Sequence, residues 1–273
     1  MPAATNWQRA DPLAQLRATE RVNYADGRLL DARDFQDEQS FHSGRLARAL
    51  KYALGMGTLA GLGVSAHAGA PDLELWVAPG LAIDRRGRLI EAPIACAIRL
   101  ARWYRQQDPA LLRAARQAAG KITADVFLRA QVFDRSKTPA FAAGPFDALD
   151  AVVPSRKQDG FALDLLLRTE VAPPVPVNNW LKPPADPITK VMGAWLEHAE
   201  GEPAPKLPEH LDTQDENDVL LARVTLPLAA GDDPDMRPVL AALTPASVTI
   251  DNSIRPVIFL AGKWLGEPLN PAP

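Results

Sequence analysis

Four histidines, one cysteine and two clusters of acids are the residues of this chain with the chemistry for catalysis or metal binding. The histidines are His42, His67, His198 and His210, and no two of them stand at zinc-site spacing. Cys96 has no partner cysteine, and its neighbours Ile94, Ala95, Ala97 and Ile98 make it read as a small buried apolar residue instead of a nucleophile. Asp34, Asp37 and Glu38 read as the solvated start of a helix. Asp212, Asp215, Glu216 and Asp218 lack the glycine and closing glutamate of a calcium loop, so they read as a solvated loop ahead of a strand. Gly55-Met56-Gly57 and Gly61-Leu62-Gly63 look like pieces of a dinucleotide fingerprint, but they follow a helix where phosphate binding needs them to open one. Their expected task is to let the chain turn and press a strand close to the helix. Ser43 beside His42 makes no nucleophile and base pair, because neighbouring helical residues point in different directions. No catalytic residue, metal or cofactor is expected.

The element that would position most of these residues is the stretch from Tyr24 to Val64. Asp26-Gly27 is a turn pair. Asp31 stands where a helix N-cap belongs, with Asp34 three residues on in capping-box position. Acids crowd the expected first turns, and Arg45, Arg48 and Lys51 crowd the last, which suits the helix dipole at both ends. Gly55 and Gly57 supply the stop. The spacing predicts a helix over 31–54. Phe35, His42, Leu46, Ala49, Leu50 and Ala53 repeat at helical period and are expected to be buried, with His42 a satisfied core histidine. Phe41, Arg45, Arg48 and Tyr52 form a second face, expected to dock a partner.

Composition bounds the class. The chain has 273 residues, 47% of them apolar, enough for a real core in one large domain or two small ones. Its formal charge of −3 leaves no basic excess for a nucleic-acid binder. One cysteine excludes an internal disulfide and fits a reducing compartment. No apolar run approaches a membrane span, and the first residues lack a signal core, so no membrane insertion and a cytoplasmic location are expected. The 26 prolines imply many irregular connections.

Past the helix, residues 58–66 read as one strand. Asp72 to Ala78 alternates with period two. Residues 81–84 and 88–91 form a hairpin around Arg85-Arg86-Gly87, and 95–100 read as a further strand. Asp108-Pro109 opens a second helix over 108–119. Residues 125–134, 161–169, 219–226 and 248–251 read as strands, with 135–158 a long loop. Residues 256–260 are a last strand or a tail. The prolines of 171–215 forbid a central strand there. Trp180, Trp195 and Trp264, beside proline or near the end, read equally as core plugs and as interface anchors.

Several of these motifs together carry a likeness. Tyr24-x-x-Gly27-x-Leu29-Leu30, then Asp34-Phe35-x-x-Glu38-Gln39-x-x-His42, then Gly57-x-x-x-Gly61-Leu62-Gly63-Val64 form its opening. Pro79-Gly80-Leu81-Ala82-Ile83-Asp84, Gly87-Arg88, Val153-Pro154-Ser155-Arg156 and Asp251-Asn252-Ser253-x-Arg255-Pro256 continue it. The set resembles uncharacterised bacterial proteins encoded near phage-tail-like contractile injection systems. A more distant similarity joins the opening to the N-terminal shell domain of the type VI secretion baseplate protein TssK. That domain's tryptophan is absent here, and its H-F-Q-Q core stands as Asp34-Phe35-Gln36-Asp37. The resemblance implies a β-sandwich and a structural role, and it brings no catalytic residue.

The reading is a mainly β protein with α, an antiparallel β-sandwich packed by one long N-terminal helix and a shorter second one. It is taken as a single domain over 1–273: arm and helix 1–57, β core 58–170 and 217–260, proline-rich insertion 171–215. The expected function is a non-enzymatic subunit of a contractile injection particle, at the baseplate or a fibre attachment, cytoplasmic or released within the particle. Its partners would be other protein subunits, further copies of itself included. The expected contact residues are Tyr24, Phe41, Arg45, Arg48, Tyr52, Trp180, Trp195 and Trp264. The alternatives are a carbohydrate- or ligand-binding β module and a hydrolase with residues scattered over loops.

Overall fold

The computed structural model describes residues 21–69, 72–139, 152–176, 206–230 and 236–258, with side chains of 137–139 and 152–153 left aside. Helix α1 spans Ala32–Leu54. Strands β1 (Gly57–Gly61), β2 (Val64–Ala68), β3 (Leu73–Val77), β4 (Gly80–Ile83), β5 (Leu89–Ala92) and β6 (Cys96–Arg99) follow. Two short helices come next, α2 (Leu100–Gln106) and α3 (Pro109–Ala114). Four more strands complete the order: β7 (Lys121–Pro139), β8 (Val152–Arg168), β9 (Val219–Pro227) and β10 (Thr249–Asp251). The fold is mainly β with α, as expected.

The strands form three antiparallel sheets, ordered β1-β4-β5, β2-β3-β6 and β10-β9-β7-β8. Their inner faces share one core, in which Val64, Leu75, Val77 and Ile90 of the small sheets pack with Ile122, Val126, Leu221 and Val224 of the large one. β3 shows why pattern sufficed there: Leu73, Leu75 and Val77 are buried while Trp76 between them is exposed. β9 is buried on both faces over 219–222 and alternates buried and half-buried from Arg223 on.

Several boundaries differ from the sequence reading. The strand expected over 58–66 is two strands in different sheets, broken where Gly61 (φ 65°) and Leu62 (φ 56°) turn the chain. Gly61 is pressed against Pro79 and Gly80, where an added Cβ would fall 2.0 Å from the Pro79 carbonyl oxygen. Gly57 lies in the same way against Pro256. These glycines therefore serve contacts with β4 and the chain end, and not the expected approach of strand to helix. The helix expected over 108–119 is the shorter α3, capped by Asp108 with Pro109 in its first turn, and α2 ahead of it was not expected. Cys96 is half-buried, since β6 is an edge strand.

The loop expected over 135–158 is strand at 135–139 and 152–158, and 140–151 lie outside the described residues. β7 and β8 pair from Thr123–Arg168 out to Pro139–Val152, whereas β9 accompanies β7 only as far as Leu128. Beyond that point the two strands run on as a ribbon, still against the core at Ala130 and Phe161 and exposed at 133–136 and 154–159. Phe133 lies across Gly160 there, filling the place where a Cβ would sit 2.8 Å from its ring. Alternation is weak at 133–136 and 154–159 because side chains on both ribbon faces are exposed there, so burial imposes no pattern.

The chain end closes the fold locally. The Asn252 side chain pairs with both backbone groups of Val64, at 2.9 Å each. Buried Arg255 donates to the Leu62 carbonyl at 2.9 Å. Thr58 and residues 256–258 exchange backbone hydrogen bonds, and Ile258 is buried in its own chain. The separated motifs Gly61-Leu62-Gly63-Val64, Pro79-Gly80 and Asn252-Ser253-x-Arg255 thus meet at one corner.

Candidate interaction surface

Helix α1 begins as the sequence requires. Asp31 accepts from the amides of Arg33 (2.8 Å) and Asp34 (3.1 Å), and the Asp34 carboxylate accepts from the Asp31 amide at 3.1 Å. This is a full capping box with carboxylates at both ends. Residues 21–30 run beside the first turns. Arg28 pairs with Asp34 at 2.8 Å, and the Tyr24 hydroxyl donates to Glu38, a bond that holds the phenol above its usual pKa.

The expected burial of the helix does not occur. Among its residues Ala47 alone is buried. It rests on the β4–β5 hairpin tip at Gly87, whose φ of 86° and missing side chain allow the approach. The side facing the domain therefore centres on Ala47, with Ser40, Ser43, Leu50, Lys51 and Leu54 half-buried around it. The predicted stripe points elsewhere: Phe35 is 50% and Leu46 59% exposed, and Ala49 and Ala53 are exposed too. His42 is exposed and lies 3.9 Å from Glu38, so it is not a core histidine. Periodicity was read correctly as a face, but a period does not say whether the same chain covers that face.

Of the expected contact residues, Tyr24, Phe41, Arg45, Arg48 and Tyr52 are brought onto this helix or beside it. Tyr24 and Tyr52 are exposed, Arg45 stacks on Phe41 at 5.6 Å, and Arg48 is half-buried. Trp180, Trp195 and Trp264 lie outside the described residues. The exposed apolar surface continues ahead of the helix through Leu29, which is 95% exposed, and Leu30.

Charged residues converge at a second place, which sequence reasoning missed. Asp125, buried in β7, takes two hydrogen bonds from Arg223 at 2.8 and 2.9 Å and lies 3.7 Å from Arg168 of β8. Arg223 also donates to the carbonyls of Pro173 and Pro174, fastening the start of the proline-rich segment to β9. Arg168, buried, holds the Glu209 carbonyl at 2.7 Å. His210 stacks on Phe127 and bonds through Nε2 to the Asp218 carbonyl at 2.9 Å. Burial pushes Glu209 up, pushes His210 down, and raises Asp218 to about 7. The expected solvated acidic loop is thus only half right: Asp212 is exposed, but Asp218 is buried beside Gln214. The available signal was a charge inside each apolar strand run, Asp125, Arg168 and Arg223.

This network is enclosed, and its arginines are committed to carboxylates and carbonyls, so it ties the 206–218 segment to the large sheet. Among the described residues no group of three or more histidine, cysteine or acidic side chains is arranged to hold a metal. No helix among them is long and apolar enough to cross a membrane. A separate open cavity of about 540 Å³ lies between β6–α2 and β8, lined by Arg99, Arg102, Trp103, Gln106 and Asp164.

No protein-family model and no curated protein matches the chain. Among solved structures, a chain of the type VI secretion system baseplate complex superimposes with a TM-score of 0.33 at 10% identity. The match covers 81% of this chain and 57% of that one. So loose a superposition carries no inference about role.

Proposed function

We propose that the chain is a non-enzymatic structural subunit of a larger protein assembly, with α1 as its docking element. The observation that carries this reading is the helix itself, a 23-residue element with one buried residue and an apolar stripe open to water. In proteins most helical stability comes from tertiary packing of an amphipathic face. A capped helix with an uncovered apolar face is suited to a partner's surface. The finer reading, a baseplate or fibre-attachment component of a contractile injection particle, is supported by the sequence motifs at Tyr24–Val64, Pro79–Asp84 and Asp251–Pro256. The test is to isolate contractile particles from the native host carrying a tagged full chain. Co-sedimentation with sheath and tube proteins at fixed stoichiometry supports it, and absence from intact particles refutes it.

The cavity beside Trp103 favours a second reading, a ligand-binding β module, because its size is in the usual range for small-molecule sites. A sugar-dependent rise in melting temperature, lost in Arg102→Ala, would favour that reading over the first.

A further inference from the structure

We infer that the occupant of the exposed α1 face is a second copy of the same helix, packed antiparallel about a two-fold axis near Phe41. This deepens the docking reading and rests on it. The uncovered stripe of Phe35, Leu46, Ala49 and Ala53 is flanked on one side by Glu38 toward the helix start and Arg45 toward its end. The dipole accounts for Asp34 and Lys51 in the terminal turns, but its effect fades beyond them. Glu38 and Arg45 lie further inside, where the dipole gives their order less support and a second reason is open.

Self-pairing supplies one. With the axis near Phe41, antiparallel helices set Glu38 opposite Arg45 of the second copy. The same register sets Phe35 opposite Leu46 of the second copy. Each contact occurs twice, as a two-fold interface requires. A parallel pair or trimer would instead stack Glu38 on Glu38 and Arg45 on Arg45, which costs energy. Among the described residues only the 21–30 segment lies on this side, through Tyr24 at Glu38 and Arg28 at Asp34, and the helix meets the sheets on the opposite side, at Gly87. In the monomer Glu38 meets Tyr24 and His42, and Arg45 meets the Phe41 ring, partners at the helix surface that a second helix can join or replace.

The test is sedimentation of the full chain over a wide concentration range, with a charge swap. The expected result is a monomer–dimer equilibrium that weakens with salt. Glu38→Arg and Arg45→Glu should each weaken it by about tenfold or more, and the double variant should recover most of the loss. In a Cys96→Ser background, Glu38→Cys with Arg45→Cys should give an intermolecular disulfide. Circular dichroism and the melting temperature of dilute samples check that each variant folds. A monomer at every concentration, a trimer, or a swap variant no tighter than the single variants would overturn the inference. Absence from particles would strike the assembly reading instead, so the two failures are distinguishable.

Discussion

Replacing Gly87 by alanine tests whether α1 is fastened to the domain at one point. At Gly87 an added Cβ would lie 1.9 Å from the Ala47 carbonyl oxygen, where real contacts essentially never fall below 3.0 Å. The obstacle is helix backbone, which cannot rotate away as a side chain could, so the helix must retreat by about 1 Å. The left-handed backbone adds about 1–2 kcal/mol for any L side chain. Holding the helix in place would cost about 1–3 kcal/mol more in overpacking. Letting it lift off forfeits the burial of Ala47, about 0.8 kcal/mol for one methyl-sized group, and part of that of half-buried Leu50 and Leu54, about 1 kcal/mol more. The two courses cost about the same, and in both the damage should stay local, because the obstacle is the helix's own backbone. Hydrogen exchange of the dilute full chain should show amides of 36–54 losing about tenfold to a hundredfold of their protection. Strands β7 and β9 should change little. Unchanged protection in the helix would mean that some other contact holds it. An equal loss in β9 would mean that the hairpin tip and the core open together, against the reading of α1 as an appended element.

Other perturbations address the buried charges and the closing corner. Asp125→Ala leaves Arg168 and Arg223 without their carboxylate and should cost about 3–5 kcal/mol in urea denaturation, while Asp134→Ala on the exposed ribbon should cost under about 0.5 kcal/mol. Asp218 holds its proton in the fold up to about 7, above the unfolded value of 3.8. Its contribution therefore favours the fold at low pH and is lost as pH rises between those values. The gain in melting temperature from Asp218→Asn should be near zero at pH 4 and largest above 7. His210, lowered by burial, acts in the opposite sense, its contribution being lost as pH falls below its unfolded value of 6.5. His210→Gln should therefore flatten the acid side of the wild-type profile. Asn252→Ala removes both bonds to Val64 and should cost about 1–3 kcal/mol by the same denaturation assay, with a larger loss of amide protection at β2 than at β9.

Capping and alternation were legible in the residues because both are local. Asp31 and Asp34 bracket one turn, and Leu73, Leu75 and Val77 report one face of one strand, so neighbours in the chain carry the whole signal. The β7–β8 ribbon was missed because solvent on both sides leaves no apolar rhythm to read. The Asp125, Arg168 and Arg223 network was missed because its members stand on three strands, and only strand pairing makes them neighbours.

The sequence by itself determined that residues 32–54 would be a capped helix with a stripe along it, since hydrogen bonding and period act within a few residues. Tertiary structure alone decided that this stripe faces water. Coverage depends on where the β4–β5 turn meets the helix, at Gly87 and Ala47, and that contact turns Phe35 and Leu46 away from the core. The same hydrophobic face can serve a fold or a partner, and only the position of its neighbours distinguishes the two.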